Sequence, residues 1–125
     1  MKIFENKADS WEDKVNFVDD NNVFVGYDMG QSCCEYADWF ISTSEKDDIQ
    51  EDKGIITGLE DYLFDTNYFA EVPSKVLDEG SMVRFKLISK NKPDLYLHLF
   101  NSHNGYYSHG FEANVNGISW HNGSL

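Results

Sequence analysis

Cysteine is scarce in this sequence: there are two, Cys33 and Cys34, and they are neighbours. On an extended chain adjacent side chains project to opposite faces, and a ring closed between them would be strained. Both are therefore expected as free thiols in a reducing compartment. No C-x-x-C spacing occurs, which removes the pattern of a thioredoxin-like redox site or a zinc ribbon. Apolar runs are also short, and none approaches the ~20 residues of a membrane-spanning helix. Residues 1–28 hold no succession of basic, apolar and small-residue regions, so a cytoplasmic protein is expected. Also missing are the phosphate-loop pattern G-x-x-x-x-G-K-S/T, the dinucleotide fingerprint, G-x-S-x-G and H-E-x-x-H. These absences weigh against an enzyme, leave the question open, and imply no cofactor.

What is present is enough for a core. Apolar residues make up 41% of the 125 positions and aromatics 15%, too much for a disordered acidic tail. That length suits a single domain over 1–125, with residues 1–22 as a loose arm or short helix. Charge is distributed unevenly. Residues 1–65 carry 17 carboxylates against 5 lysines, while residues 66–125 carry 5 charges of each sign, so the whole net charge of -12 belongs to the first half. Such a field repels nucleic acid and anionic membranes and attracts cationic surfaces. The partner expected is a basic protein, with no nucleic acid and no membrane.

The run 23–28, Val-Phe-Val-Gly-Tyr-Asp, reads as a strand, and 34–42 as a second strand paired to it. In the latter, Glu35, Ala37, Trp39 and Ile41 share one face, while Cys34, Tyr36, Asp38 and Phe40 share the other. Residues 43–53 hold one apolar residue among five carboxylates and read as an exposed acidic loop. Residues 55–64 read as a strand interrupted near Gly58, with a helical turn through Leu59, Tyr62 and Leu63 as the alternative. Pro73 and Gly80 bracket a short helix over 73–79. Residues 83–89 alternate, with Val83, Phe85 and Leu87 directed inward. Pro93 lies in the turn that follows, where it would stop strand pairing.

The loudest signal spans 98–111, His-Leu-Phe-Asn-Ser-His-Asn-Gly-Tyr-Tyr-Ser-His-Gly-Phe. A two-residue turn at Asn104-Gly105 would pair 95–100 with 106–115, setting His103 opposite Tyr106, Leu99 opposite Gly110 and Leu97 opposite Glu112. His98 and His109 then become diagonal neighbours, roughly 7 Å apart at Cβ. Phe100, Phe111 and Tyr107 would frame them. A metal there would need a further ligand, with Cys33, Cys34, Asp28 and Glu35 as candidates. The blander reading is a pair of histidines hydrogen-bonded within an aromatic face, and Gly110 is then a close-packing position. A Cys–His nucleophile is disfavoured because Asp28, Glu35 and Asp38 flank the thiols and oppose a thiolate. Asp28 and Glu35 also form a candidate carboxylate pair, one of many in a chain with 22 acids. A second Asn-Gly step, at 116–117, would send 118–120 back as a final strand.

The segments Val25-Gly26-Tyr27-Asp28, Cys33-Cys34-Glu35 and 101–111 together resemble a small uncharacterised domain family of bacterial and phage proteins. The likeness covers most of residues 23–115. The resemblance implies a compact β-rich domain and a mobile-element setting of inhibitors, immunity proteins and accessory proteins, with no activity to carry over. The fold expected is mainly β, with α+β as the alternative: one antiparallel domain of about six strands packed on both faces, one short helix and a long C-terminal hairpin. The function expected is non-catalytic binding of a basic partner. Its surface would draw on His98, His103, Tyr107, His109, Phe111, Trp39, Asp47 and Asp48, with Trp39 or Trp11 as an exposed anchor. The alternative is a metal or small-ligand site on the His98/His109 face, with hydrolysis as an activity it would permit.

Overall fold

Period-two alternation decides which side chains of an extended chain can share an interior, and here it builds two sheets. The computed structural model describes residues 1–6, 14–30, 37–44, 53–67, 74–77, 80–101 and 109–125. Within them ten strands pair antiparallel throughout. The first sheet runs, in spatial order, β1 (Lys2–Asn6), β2 (Lys14–Val18), β3 (Val23–Asp28), β9 (Gly110–Val115) and β10 (Ile118–Ser124). The second runs β4 (Ala37–Ser42), β8 (Lys92–Asn101) and β7 (Gly80–Ser89), with β5 (Leu63–Phe64) and β6 (Ser74–Leu77) pairing two ends of β7. No helix occurs among the described residues, and none there is long and apolar enough to cross a membrane.

The inward positions of both sheets are apolar and close on one another. Val15, Phe17, Val25, Tyr27, Phe111 and Ala113 come from the first sheet; Trp39, Ile41, Val83, Phe85, Leu87, Leu97 and Leu99 come from the second. Edge-to-face rings cross the interface, Phe17 on Trp39 at 5.1 Å and Phe85 on Phe111 at 6.2 Å. Each fully buried side chain of this size contributes on the order of 1.5–3 kcal/mol. The second sheet also buries its outer face, where Phe40, Met82 and Phe100 form a separate apolar cluster.

Polar bonds pin the rims of the two sheets together. The buried Asp19 carboxylate, in the β2–β3 turn, accepts the backbone N–H groups of Asn21, Val23 and Phe64, each at 2.9 Å. The first two bonds close the turn, and the third reaches β5 in the other sheet. The Tyr27 hydroxyl donates to the Phe100 carbonyl at 2.8 Å, and the Trp39 indole N–H donates to Glu5 Oε1 at 2.9 Å. Asn116 and Gly117 both adopt positive φ, 54° and 79°, the backbone a tight right-twisted hairpin turn needs.

Several expectations are met: β3 spans 23–28, the alternating run 83–89 lies within β7, and Asn116-Gly117 turns the chain into β10. Others are corrected. The long hairpin 95–100/106–115 does not form, because β8 lies between β4 and β7 and β9 lies between β3 and β10. The C-terminal hairpin is β9–β10. Of the strand expected over 34–42, Ala37–Ser42 is β4, and it pairs β8 instead of β3. The helix expected over 73–79 is replaced by β6, whose Ser74–Leu77 pairs back on β7. Seven residues are too few to sustain a helix on their own, and four of them gain a ready-made ladder instead. Within 1–22, β1 and β2 replace the loose arm or short helix. Ten strands therefore stand among the described residues where about six were expected. Of 55–64 only Leu63–Phe64 is a strand. Pro93 sits inside β8, tolerated because β4 pairs only from Tyr96 onward and leaves the proline's far side unladdered.

Asp19→Ala strands three backbone donors, two of them buried. The expected loss is about 3 kcal/mol of folding stability, read by denaturant unfolding, from unsatisfied groups worth ~1–3 kcal/mol each. A loss below ~1 kcal/mol would show that the carboxylate does not hold the sheets together.

Candidate binding surfaces

The two histidines singled out in the sequence are separated by the topology. His98 is on the outer face of the second sheet, fully buried, its ring stacked on Phe40 at 4.3 Å and 10°. His109 precedes β9 in the first sheet and is 3% exposed, with Nδ1 3.0 Å from the Asp28 carbonyl oxygen. A carbonyl only accepts, so the proton on that nitrogen belongs to His109. Its backbone pairs with Leu125 in both directions at 2.9 Å, and its ring packs on Tyr27. The diagonal His98/His109 arrangement required β8 and β9 to be neighbours, so the shared imidazole face does not form.

Trp39, expected as an exposed anchor, is 3% exposed, because its position on β4 faces the core. Lys53 lies over its ring at 4.6 Å and pairs with Asp38. Phe111 faces the core as well, against Phe85. His103, Tyr107, Asp47, Asp48, Cys33, Cys34 and Trp11 lie outside the described residues, as does most of the acidic loop. Among the described residues no group of three or more His, Cys, Asp and Glu side chains is arranged to hold a metal ion.

Two open grooves remain. One, of about 730 Å³, lies where Leu63 and Ile88 pair across β5 and β7, among Asp20, Glu60, Asp61, Lys90 and Lys92. Lys92 is engaged there, 3.5 Å from Asp61, 3.1 Å from the Gly58 carbonyl and over the Tyr62 ring. The other, of about 320 Å³, lies on the outer face of the first sheet between Lys14, Asn16, Gly26, Asp28, Gly110 and Glu112. These residues come from β2, β3 and β9 and share one face by register: Asn16 opposes Gly26, and Gly26 opposes Glu112. Asp28 is held by its own geometry, since Oδ1 accepts the Gly30 N–H at 3.1 Å while its carbonyl accepts from His109. Asp28 had been singled out in the sequence beside Glu35, which lies outside the described residues; the structure sets Asp28 along the same groove as Glu112. The signal that identifies this groove is the placement of glycines at outward positions of β3 and β9, which becomes legible only once the strands are known to be neighbours.

Because both histidines are sealed in, diethylpyrocarbonate should modify neither His98 nor His109 in the folded protein, as mapped by mass spectrometry. His98→Ala should cost about 3 kcal/mol, the usual range for truncating a fully buried large side chain. Rapid modification of either ring would place it on the surface after all.

A model of a domain family of unknown function, DUF7448, matches residues 1–113, from β1 into β9. No match is found among curated proteins or among solved structures. The match takes in eight of the ten described strands whole and the first part of β9, with strands of both sheets, and the chain belongs to the DUF7448 family, whose function is unknown.

Proposed function

We infer that this chain is a non-catalytic binding protein that docks a basic protein partner through its acid-rich half. The observation that carries the reading is the confinement of the entire -12 net charge to residues 1–65. Charge of one sign gathered in one part of a small chain accelerates encounter with an opposite surface and rejects like-charged ones. Among the described residues of that half Asp20, Asp28, Glu60 and Asp61 are exposed, which supports the same reading. A buried Trp39 moves the aromatic contact elsewhere. Phe4, 54% exposed on the outer edge strand of the first sheet, is the large apolar side chain best placed to supply it. An inhibitor, immunity or accessory protein of a bacterial or phage system, working in the cytoplasm, is the class of molecule this describes. Nucleic acid and anionic membranes are disfavoured as partners by the same field.

Calorimetric titration of the full chain with an oligo-lysine peptide at low and high salt tests the charge-driven reading, with oligo-glutamate as the control. The expected result is binding of oligo-lysine that weakens about tenfold or more as the salt screens the exposed charges, and no binding of oligo-glutamate. Affinity that ignores ionic strength, or no affinity at low salt, would overturn the assignment.

A further inference from the structure

Glycine inside a strand costs stability and calls for a reason. Three strand or turn glycines have one. Gly117 has positive φ. At Gly26 an added Cβ would meet the Phe24 ring at 2.8 Å and Asn16 Oδ1 at 3.0 Å. At Gly123 it would meet the Phe111 ring at 2.8 Å. Gly110 has neither reason. It is an exposed strand residue without positive φ, and among the described residues the nearest atom to an added Cβ is the Gly123 carbonyl oxygen at 4.0 Å. Among the described residues no side chain packs on it as the close-packing role read in the sequence requires, and they leave room here for a side chain that the sequence withholds.

That room opens into the 320 Å³ groove. Gly26 opposes Glu112 in the β3–β9 ladder, whose last pair is Tyr27 and Phe111; continuing that register sets Asp28 beside Gly110, and both line the groove. The four positions form a square in which glycines occupy one diagonal and carboxylates the other. Diagonal neighbours on a sheet face are roughly 7–8 Å apart. The Phe24 ring covers the Gly26 side, so the open position is Gly110, where carboxylates on two sides suit a planar guanidinium making charge-assisted N–H···O bonds of about 2.8 Å. Neither Asp28 nor Glu112 enters an ion pair among the described residues. Lys14, the Cα partner of Asp28, lines the same groove and opposes a cation there. In the same cross-strand row as Glu112, Gly26 and Asn16 stands the exposed Phe4, an apolar contact beside the charged one.

We propose that the notch at Gly110, between Asp28 and Glu112, receives an arginine side chain of the basic partner. This rests on the reading of the chain as a binder of basic proteins and adds where the partner's cation is seated. Bound there, the guanidinium lies over the β3–β9 backbone, which a side chain at position 110 would deny it.

The test is fluorescence anisotropy of a labelled oligo-arginine peptide with the full folded chain at low salt, each variant checked for its melting temperature. Gly110→Val adds bulk without charge and Glu112→Gln removes charge without bulk; each should weaken binding about tenfold. Lys14→Gln should tighten it, and Glu60→Gln, the same charge change in the other groove, should alter it less than about twofold. Gly110→Ala repeats the steric arm if valine lowers the melting temperature. Wild-type affinity in the Gly110 variants, or equal losses from Glu60→Gln and Glu112→Gln, would overturn the notch while leaving a diffuse acidic surface as the binder. Absence of binding by the wild-type chain would instead remove the charge-driven reading beneath it.

Discussion

A strand has two edges and two faces, and in β8 all four are occupied. Its edges pair β4 and β7, its odd-numbered residues Leu95, Leu97 and Leu99 enter the core between the sheets, and Tyr96, His98 and Phe100 are buried on the other side. Seven consecutive buried residues, Leu95 to Asn101, follow from that position. With both edges taken, β8 has no side left for β9, which pairs in the other sheet. It inserts between β3 and β10. That exclusion divides the chain into two sheets and sends the two conspicuous histidines to different ones.

Once the sheets are separate, their relative placement depends on the apolar inner faces and on a few polar bonds at the rim. Asp19, Tyr27 and Trp39 each belong to one sheet or its turns and bond to a residue of the other. Tyr27 lies on the inward side of β3 next to Gly26 and Asp28, which face outward, so the bond that seats Tyr27 also sets the strand bearing the groove. His109 extends the same support by holding the Asp28 carbonyl. A histidine that looked like a ligand in the sequence is therefore a brace for an acidic residue. The outer face of the first sheet leaves Asp28, Gly110 and Glu112 exposed, while that of the second buries Phe40, Met82, His98 and Phe100. Recognition is assigned to the former for that reason.

Much of the β character was legible in the residues themselves. The alternation of Val83, Phe85 and Leu87, the β-branched and aromatic run at 23–28 and the Asn116-Gly117 turn all acted locally, and each appears where its pattern placed it. Pairing was less legible because it is decided by competition. Asn104-Gly105 is a strong hairpin signal, yet the continuous run Leu-Tyr-Leu-His-Leu-Phe marks a strand covered on both faces, whereas Phe111 and Ala113 alternate with exposed Gly110 and Glu112. Two strands of such different burial fit poorly side by side. The same weighing explains 73–79, where helix punctuation at Pro73 and Gly80 yielded to an edge ladder on β7. The groove was hidden for a related reason: Lys14, Asp28 and Glu112 are distant in sequence and meet only through the β2–β3–β9 order.

The separation of the two histidines and the groove on the first sheet both require β8 and β9 to lie in different sheets. Nuclear Overhauser contacts between backbone protons report that directly. Contacts linking Leu97 to Ile41 and Phe85, and Ala113 to Val25, are expected, with none between Leu97 and Glu112. A Leu97–Glu112 contact, with Leu99 opposite Gly110, would restore the hairpin, bring the histidines together and contradict both the sandwich and the groove built on it.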